Sequence, residues 1–155
     1  QPFSDAIKLL SKEFFIPFKS NYMYYYMSPM IMFILIFFLW MIYPFFTNLL
    51  NFKMNFLFFL CLMSMGVYGL MIAGWSSNCS YSMLGSMRSV AQSISYEVTF
   101  SICMLIILMM INSINLSNLI YYQKYIYLIF IFYPIALMLF TVMIAELNRT
   151  PFDLS

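Results

Sequence analysis

The sequence predicts an all-α integral membrane protein, in which an amphipathic interfacial helix is followed by four transmembrane helices. Three observations carry that reading. Of the 155 residues, 65% are hydrophobic and only 8% are charged, which lies outside the range of soluble globular domains. Four stretches are apolar and almost free of charge over the ~20 residues a helix needs to cross lipid. A short amino-terminal stretch instead mixes apolar and charged residues at helical spacing.

That first stretch runs from residue 2 to residue 14. Phe3, Ala6, Ile7, Leu10 and Phe14 share one helical face, and Asp5, Lys8, Ser11 and Lys12 share the other, with Leu9 and Glu13 off the pattern. The segment is too short and too charged to span, so it is expected to lie in the membrane interface with Pro2 in its first turn. The YMYYYM stretch from Tyr22 then reads as an interfacial aromatic belt. Lys19 and Lys53 enclose an uncharged run in which residues 30–50 form the first expected span, with Pro44 near its far end. The second covers residues 56–74, where Gly66, Gly69 and Ala73 recur at a spacing that permits close helix packing, and Trp75 marks the interface. The third covers residues 90–111. A polar turn from Asn112 to Lys124 leads to the fourth, residues 125–145, with a kink expected at Pro134. All 155 residues are thus read as one transmembrane domain.

The basic residues orient this arrangement. Lys8, Lys12, Lys19, Arg88 and Arg149 fall on one side of a four-span chain, and Lys53 and Lys124 on the other. The richer side is expected to face the compartment of synthesis. It also collects the five carboxylates Asp5, Glu13, Glu97, Glu146 and Asp153.

The most informative segment is SMRSVAQSISYE, Ser86 to Glu97, which runs directly into the apolar VTFSICMLIILMMI. It places Glu97 roughly two turns inside a segment long enough to span. At 100° per residue, Ser82, Ser86, Ser89, Ser93, Glu97 and Ser101 fall within about a third of a turn and form a polar stripe. The plain reading is a helix whose hydroxyls bond back to its own carbonyls and whose acid pairs with a neighbour. The functional reading is a protonatable group facing a polar cavity, because ionisable residues held in a membrane mark pathways and relays. Glu146 arrives at the end of the last span. A carboxylate in a poorly solvated bundle is disfavoured against its neutral form, so the two acids are expected to titrate abnormally and as a coupled pair.

Several function classes are excluded. Seven basic residues spread thinly against five acidic ones give no footprint for nucleic acid. With no histidine, the chain cannot supply a bis-His haem or a His metal site, and Cys61, Cys79 and Cys103 lack the spacing of a zinc or iron–sulfur site. Redox chemistry must therefore reside on other chains or a ligand, and no metal site is expected. Asn78, Asn115 and Asn148 each begin an N-x-S/T triplet, which is discounted because such triplets arise by chance. The chain begins at Gln1 without an initiator Met, signal peptide or transit peptide and reads as a fragment. Its richness in Met, Phe, Ile, Tyr and Asn is what an AT-rich, organellar genome would give.

Three motifs, QPFSDAIKLLSKE, SNCSYSMLGSMRSVAQSISYEV and AELNRTPFDLS, resemble subunit 1 of NADH:ubiquinone oxidoreductase (respiratory complex I) in its mitochondrially encoded form, and the resemblance runs through essentially the whole chain in order. It implies a fragment of an eight-span subunit of the mitochondrial inner membrane, at the heel of the membrane arm where the quinone chamber meets the proton-pumping arm. The first span, the acidic loop after Ser155 and the last three spans of the family pattern would be missing. Ubiquinone is the implied substrate, with NADH, FMN and iron–sulfur clusters on other subunits, and the implied partners are other membrane-arm and quinone-module subunits and the lipid bilayer. By motif match, Asp5 resembles the family acid near the quinone chamber, Glu97 and Glu146 resemble members of its chain of buried acids, and Arg88 and Arg149 match arginines of the matrix-side loops. Leu147 and Cys79 are mild departures that leave the charged positions undisturbed. The resemblance implies a subunit of a redox-driven, proton-translocating enzyme. The alternative is a membrane scaffold for the soluble arm whose acids only pair helices. A free-standing ion antiporter fits the buried acids but not the first helix or the motifs.

Overall fold

The computed structural model describes residues 1–13, 15–43 and 52–153. Every regular element among them is helical: α1 (Pro2–Leu10), α2 (Tyr22–Trp40), α3 (Asn55–Ser76), α4 (Ser80–Ile111), a 3₁₀ turn (Leu116–Asn118), α5 (Leu119–Tyr122), α6 (Leu128–Ile131) and α7 (Tyr133–Glu146). Three of these, α2, α3 and α4, are long and apolar enough to cross a membrane. At 1.5 Å per residue they measure about 28, 33 and 48 Å. The packing is serial: α2 lies on α3, α3 on α4 and α4 on α7.

The first helix has Pro2 in its first turn and all of its residues are exposed. It ends at Leu10, short of the expected residue 14; Phe14 lies outside the described residues. The Tyr22 stretch forms the first turns of α2, which starts eight positions before the expected residue 30. The expected end of that span, with Pro44, lies outside the described residues. Pro29 sits inside α2 and lacks the N–H that would bond to Tyr25 O. The buried Ser28 supplies a donor in its place, its Oγ lying 3.0 Å from Tyr25 O, so the helix continues.

The second expected span agrees with α3 to within two residues. Close approach, however, is made by Gly69 and Gly74. A Cβ at Gly69 would run into Met32 Sδ of α2, and one at Gly74 into Ser86 Oγ and Cβ of α4. Gly66 has open space around its Cβ position, so it is not the packing residue that its spacing suggested.

The largest departure is at the start of α4. The third span, expected from residue 90, is helical already from Ser80, and only Ser77–Cys79 turn the chain. The reason is local: Ser82, Ser86 and Ser89 each donate their hydroxyl to a carbonyl three residues back, so the polar stretch satisfies itself within the helix. At its other end α4 stops at Ile111, as expected, because Asn112 takes a left-handed φ of 54°. The expected polar turn beyond it contains the 3₁₀ turn and α5. Asn115 Oδ1 caps the turn, accepting from Ser117 N at 3.1 Å and from Asn55 Nδ2 of α3 at 3.1 Å.

The fourth expected span is divided. The stretch to residue 145 forms α6 and α7 with a break at Phe132, and Pro134 lies in the first turn of α7. A proline has no N–H to lose there and its φ suits a helix start, so Pro134 begins a helix where a kink was expected. At 14 residues α7 measures about 21 Å, short of a full crossing.

Candidate functional site

The site lies on the seam between α4 and α7. Glu97, in the middle of α4, is half-buried; one turn on, Phe100 meets Phe59 of α3 with ring centroids 5.8 Å apart. Glu146, the last residue of α7, is also half-buried, and its Oε2 is a buried atom with no hydrogen-bond partner. The two acids stand on helices that pack against each other. Glu146 stands at the carbonyl-rich end of its helix, whose last turn carries no basic residue. Such a place costs a negative charge about 0.3–1 kcal/mol through the helix dipole.

The serine stripe does not serve Glu97. Ser89 donates to Ser86 O, Ser93 to Ser89 and Val90 O, and Ser101 to Val98 O, at 2.8 to 3.1 Å. Towards α3 the stripe instead provides slim contacts, with Ser86 against Gly74 and Ser82 hydroxyl to hydroxyl with Ser77.

The AELNRTPFD motif forms a definite structure. Asn148 has a left-handed φ of 48°, its N–H donates to Ala145 O at 3.2 Å, and the Arg149 N–H donates to Ile144 O at 3.2 Å. These bonds make a Schellman motif, with asparagine where glycine is commonest. The Phe152 N–H then donates to Arg149 O at 2.8 Å and closes the next turn. The chain thereby folds back onto α4, where the Phe152 ring meets Tyr96 edge-on at 5.3 Å.

Gln92 was missed by sequence reasoning and holds this return. Only 7% of it is exposed. Its Nε2 donates to Ala145 O and to Phe152 O, each at 2.9 Å, and lies 3.5 Å from Asn148 Oδ1. One signal was available: Gln92 lies three residues after Ser89 and four before Tyr96, so an uncharged amide continues the polar face toward the last helix.

Of the expected site residues, Glu97 and Glu146 both lie on the packed pair α4 and α7. Arg88, Arg149 and Asp5 are exposed, the first on α4, the second in the turn after α7 and the third on α1. Among the triplets set aside above, Asn78 and Asn148 serve as left-handed turn residues, and Asn78 Nδ2 also donates to Lys19 O at 2.8 Å.

A family model described as NADH dehydrogenase matches residues 1–155. The chain belongs to this family. It is similar to NADH-ubiquinone oxidoreductase chain 1 of Locusta migratoria, 49% identical over 99% of this chain and 49% of that protein. It is similar also to the chain 1 proteins of Aedes aegypti, at 47% identity over 99% of this chain and 49% of the other, and of Papio hamadryas, at 45% over 99% and 48%. The chain spans about half the length of the curated relatives it matches. The matched length includes all three motifs and the α4–α7 seam.

Proposed function

We propose that the chain belongs to a membrane subunit of proton-translocating NADH:ubiquinone oxidoreductase in the mitochondrial inner membrane, and that Glu97 and Glu146 couple quinone reduction to proton movement. Ubiquinone is the substrate of the assembled enzyme, and the redox groups belong to other subunits. The observation that carries this reading is the seam itself. Two half-buried acids stand on helices that pack against each other, and one of them has a buried oxygen without a partner.

The physics is a charge relay. A unit charge formed about 10 Å away, at an effective dielectric of about 20, changes the energy of a carboxylate by about 1.7 kcal/mol, more than tenfold in its ratio of protonated to ionised form. A negative charge in the quinone chamber therefore draws a proton to the nearer acid, and the second acid responds to the first. Asp5 borders the quinone chamber from an α1 that lies in the interface, and Arg88 and Arg149 occupy the matrix side with Lys8, Lys12 and Lys19. The bundle supports two separate ends: Asn21 N lies 2.8 Å from Ser76 O at one, while Asn55 Nδ2 lies 3.1 Å from Asn115 Oδ1 at the other.

A scaffold role is the second reading, and the self-satisfied serine stripe favours it, since those hydroxyls hold the helix and not the acid. Glutamine at position 97 or 146 separates the two, because it preserves size and most hydrogen bonds but cannot change charge. The relay requires an assembled enzyme with impaired turnover and pumping, whereas the scaffold requires normal function.

A further inference from the structure

We infer that Gln92 is a positioning residue that docks the segment after α7 onto α4 and thereby sets Glu146 relative to Glu97. The inference rests on the reading of those two acids as coupling groups. Both atoms facing Gln92 Nε2 at 2.9 Å are backbone carbonyl oxygens, Ala145 O and Phe152 O. Two acceptors at one nitrogen require two donors, which the carboxamide NH₂ supplies and a carboxylate or an aliphatic side chain does not. Gln92 is 7% and Ala145 1% exposed, so at the Ala145 end water does not replace the side chain easily.

The two bonds bracket Glu146. Ala145 immediately precedes it, and Phe152 closes the return of the chain. Tyr96, one helical turn from Gln92 and adjacent to Glu97, holds the Phe152 ring from the same face of α4. Gln92 and Tyr96 thus hold both ends of the Schellman turn that follows Glu146, on the helix that carries Glu97. The last carbonyls of a helix have no intrahelical donors, so a side chain from a neighbouring helix is an economical way to fix where α7 ends. Losing both bonds is expected to weaken docking of this segment by roughly tenfold. Gln92 acts through Glu146 and does not itself exchange a proton.

The test is a double-mutant cycle in the assembled enzyme, using Gln92→Leu, Glu146→Gln and the pair, with NADH:quinone turnover and protons pumped per NADH as readouts. Gln92→Met, flexible and without donors, is the second variant in case leucine packs badly. The expected result is that Gln92→Leu or Gln92→Met assembles and lowers both turnover and the pumping ratio several-fold. The double variant should then be no worse than Glu146→Gln alone, because both changes act on one group. Multiplying losses in the double variant would overturn the inference, as would normal pumping in Gln92→Met. Failure of both Gln92 variants to assemble would also overturn it, showing a purely architectural residue. Normal turnover and pumping in Glu146→Gln would instead refute the coupling role of Glu146, and this inference with it.

Discussion

Substituting the glycines of α3 and α4 tests how α3 packs on its two neighbours, because the structure assigns each a different cost. At Gly74 a new methyl would overlap Ser86 Oγ and Cβ, and it would sit 3.3 Å from Ser82 O. Ser86 Cβ is attached directly to the α4 backbone, so relief requires the two helices to separate; Gly74→Ala is expected to destabilise by about 1–3 kcal/mol. At Gly69 the obstacle is Met32 Sδ and Cγ, the outer part of a flexible side chain that can swing aside. Gly69→Ala should therefore cost less, under about 1.5 kcal/mol. At Gly85 nothing lies within 4 Å of the Cβ position, and alanine should gain about 0.5–1 kcal/mol by helix propensity. Each ~1.4 kcal/mol is a tenfold change in equilibrium, so the order is measurable as thermal stability of the detergent-solubilised assembled enzyme. Ser86→Gly removes both obstructing atoms and should restore stability to Gly74→Ala. Equal stability of Gly74→Ala and Gly85→Ala, or no recovery with Ser86→Gly, would refute the reasoning.

Three further outcomes are expected. The exposed Cys79 accepts backbone hydrogen bonds at the start of α4, chiefly from the Ser82 N–H and then from that of Tyr81, which hold its thiol below the ordinary value. Its thiolate should persist to lower pH, so the pH profile of iodoacetamide labelling should lie to the acid side of a free thiol; a midpoint at or above that of a free thiol would contradict this. Asp5→Asn should alter the dependence of turnover on quinone concentration while assembly stays normal, and an unchanged dependence would leave Asp5 as an interfacial charge beside Lys8. Cysteines placed at Lys53 and Arg88 should label from opposite sides of the membrane, and labelling of both from one side would refute the orientation.

The apolar runs made the long helices legible, since burying that much hydrocarbon without a hydrogen-bonded backbone is prohibitive in lipid. Their ends were less legible. Hydropathy identifies what lipid tolerates, whereas α4 extends through Ser80–Ser89 because its hydroxyls are satisfied locally. The interruption beside Pro134 was legible, but not that the proline opens a new helix, because a missing N–H disrupts a helix interior but suits a first turn and a sequence does not state where the turn begins. Gly74 had been placed at the end of a span; its role depends on Ser86 of the next helix, a partner that spacing along one helix cannot reveal.

At the site, charge made Glu97 and Glu146 conspicuous, and α7 packing on α4 puts them on one helix pair. Gln92 escaped because it lies just beyond the edge of the serine stripe and carries no charge, and its partners are backbone carbonyls more than fifty positions away. Asn148 stands in a triplet and in the AELNRTPFDLS motif, but neither reveals that its left-handed conformation turns the chain back toward Gln92.

The central claim is that Glu97 changes charge as the enzyme works, and Glu97→Gln in the assembled enzyme tests it most directly. NADH:quinone turnover and proton pumping are measured together across pH on preparations matched for assembled complex. The account expects full assembly, with turnover and pumping lowered together because the relay loses a protonatable member. An assembled variant that turns over quinone and pumps protons normally at every pH would contradict it.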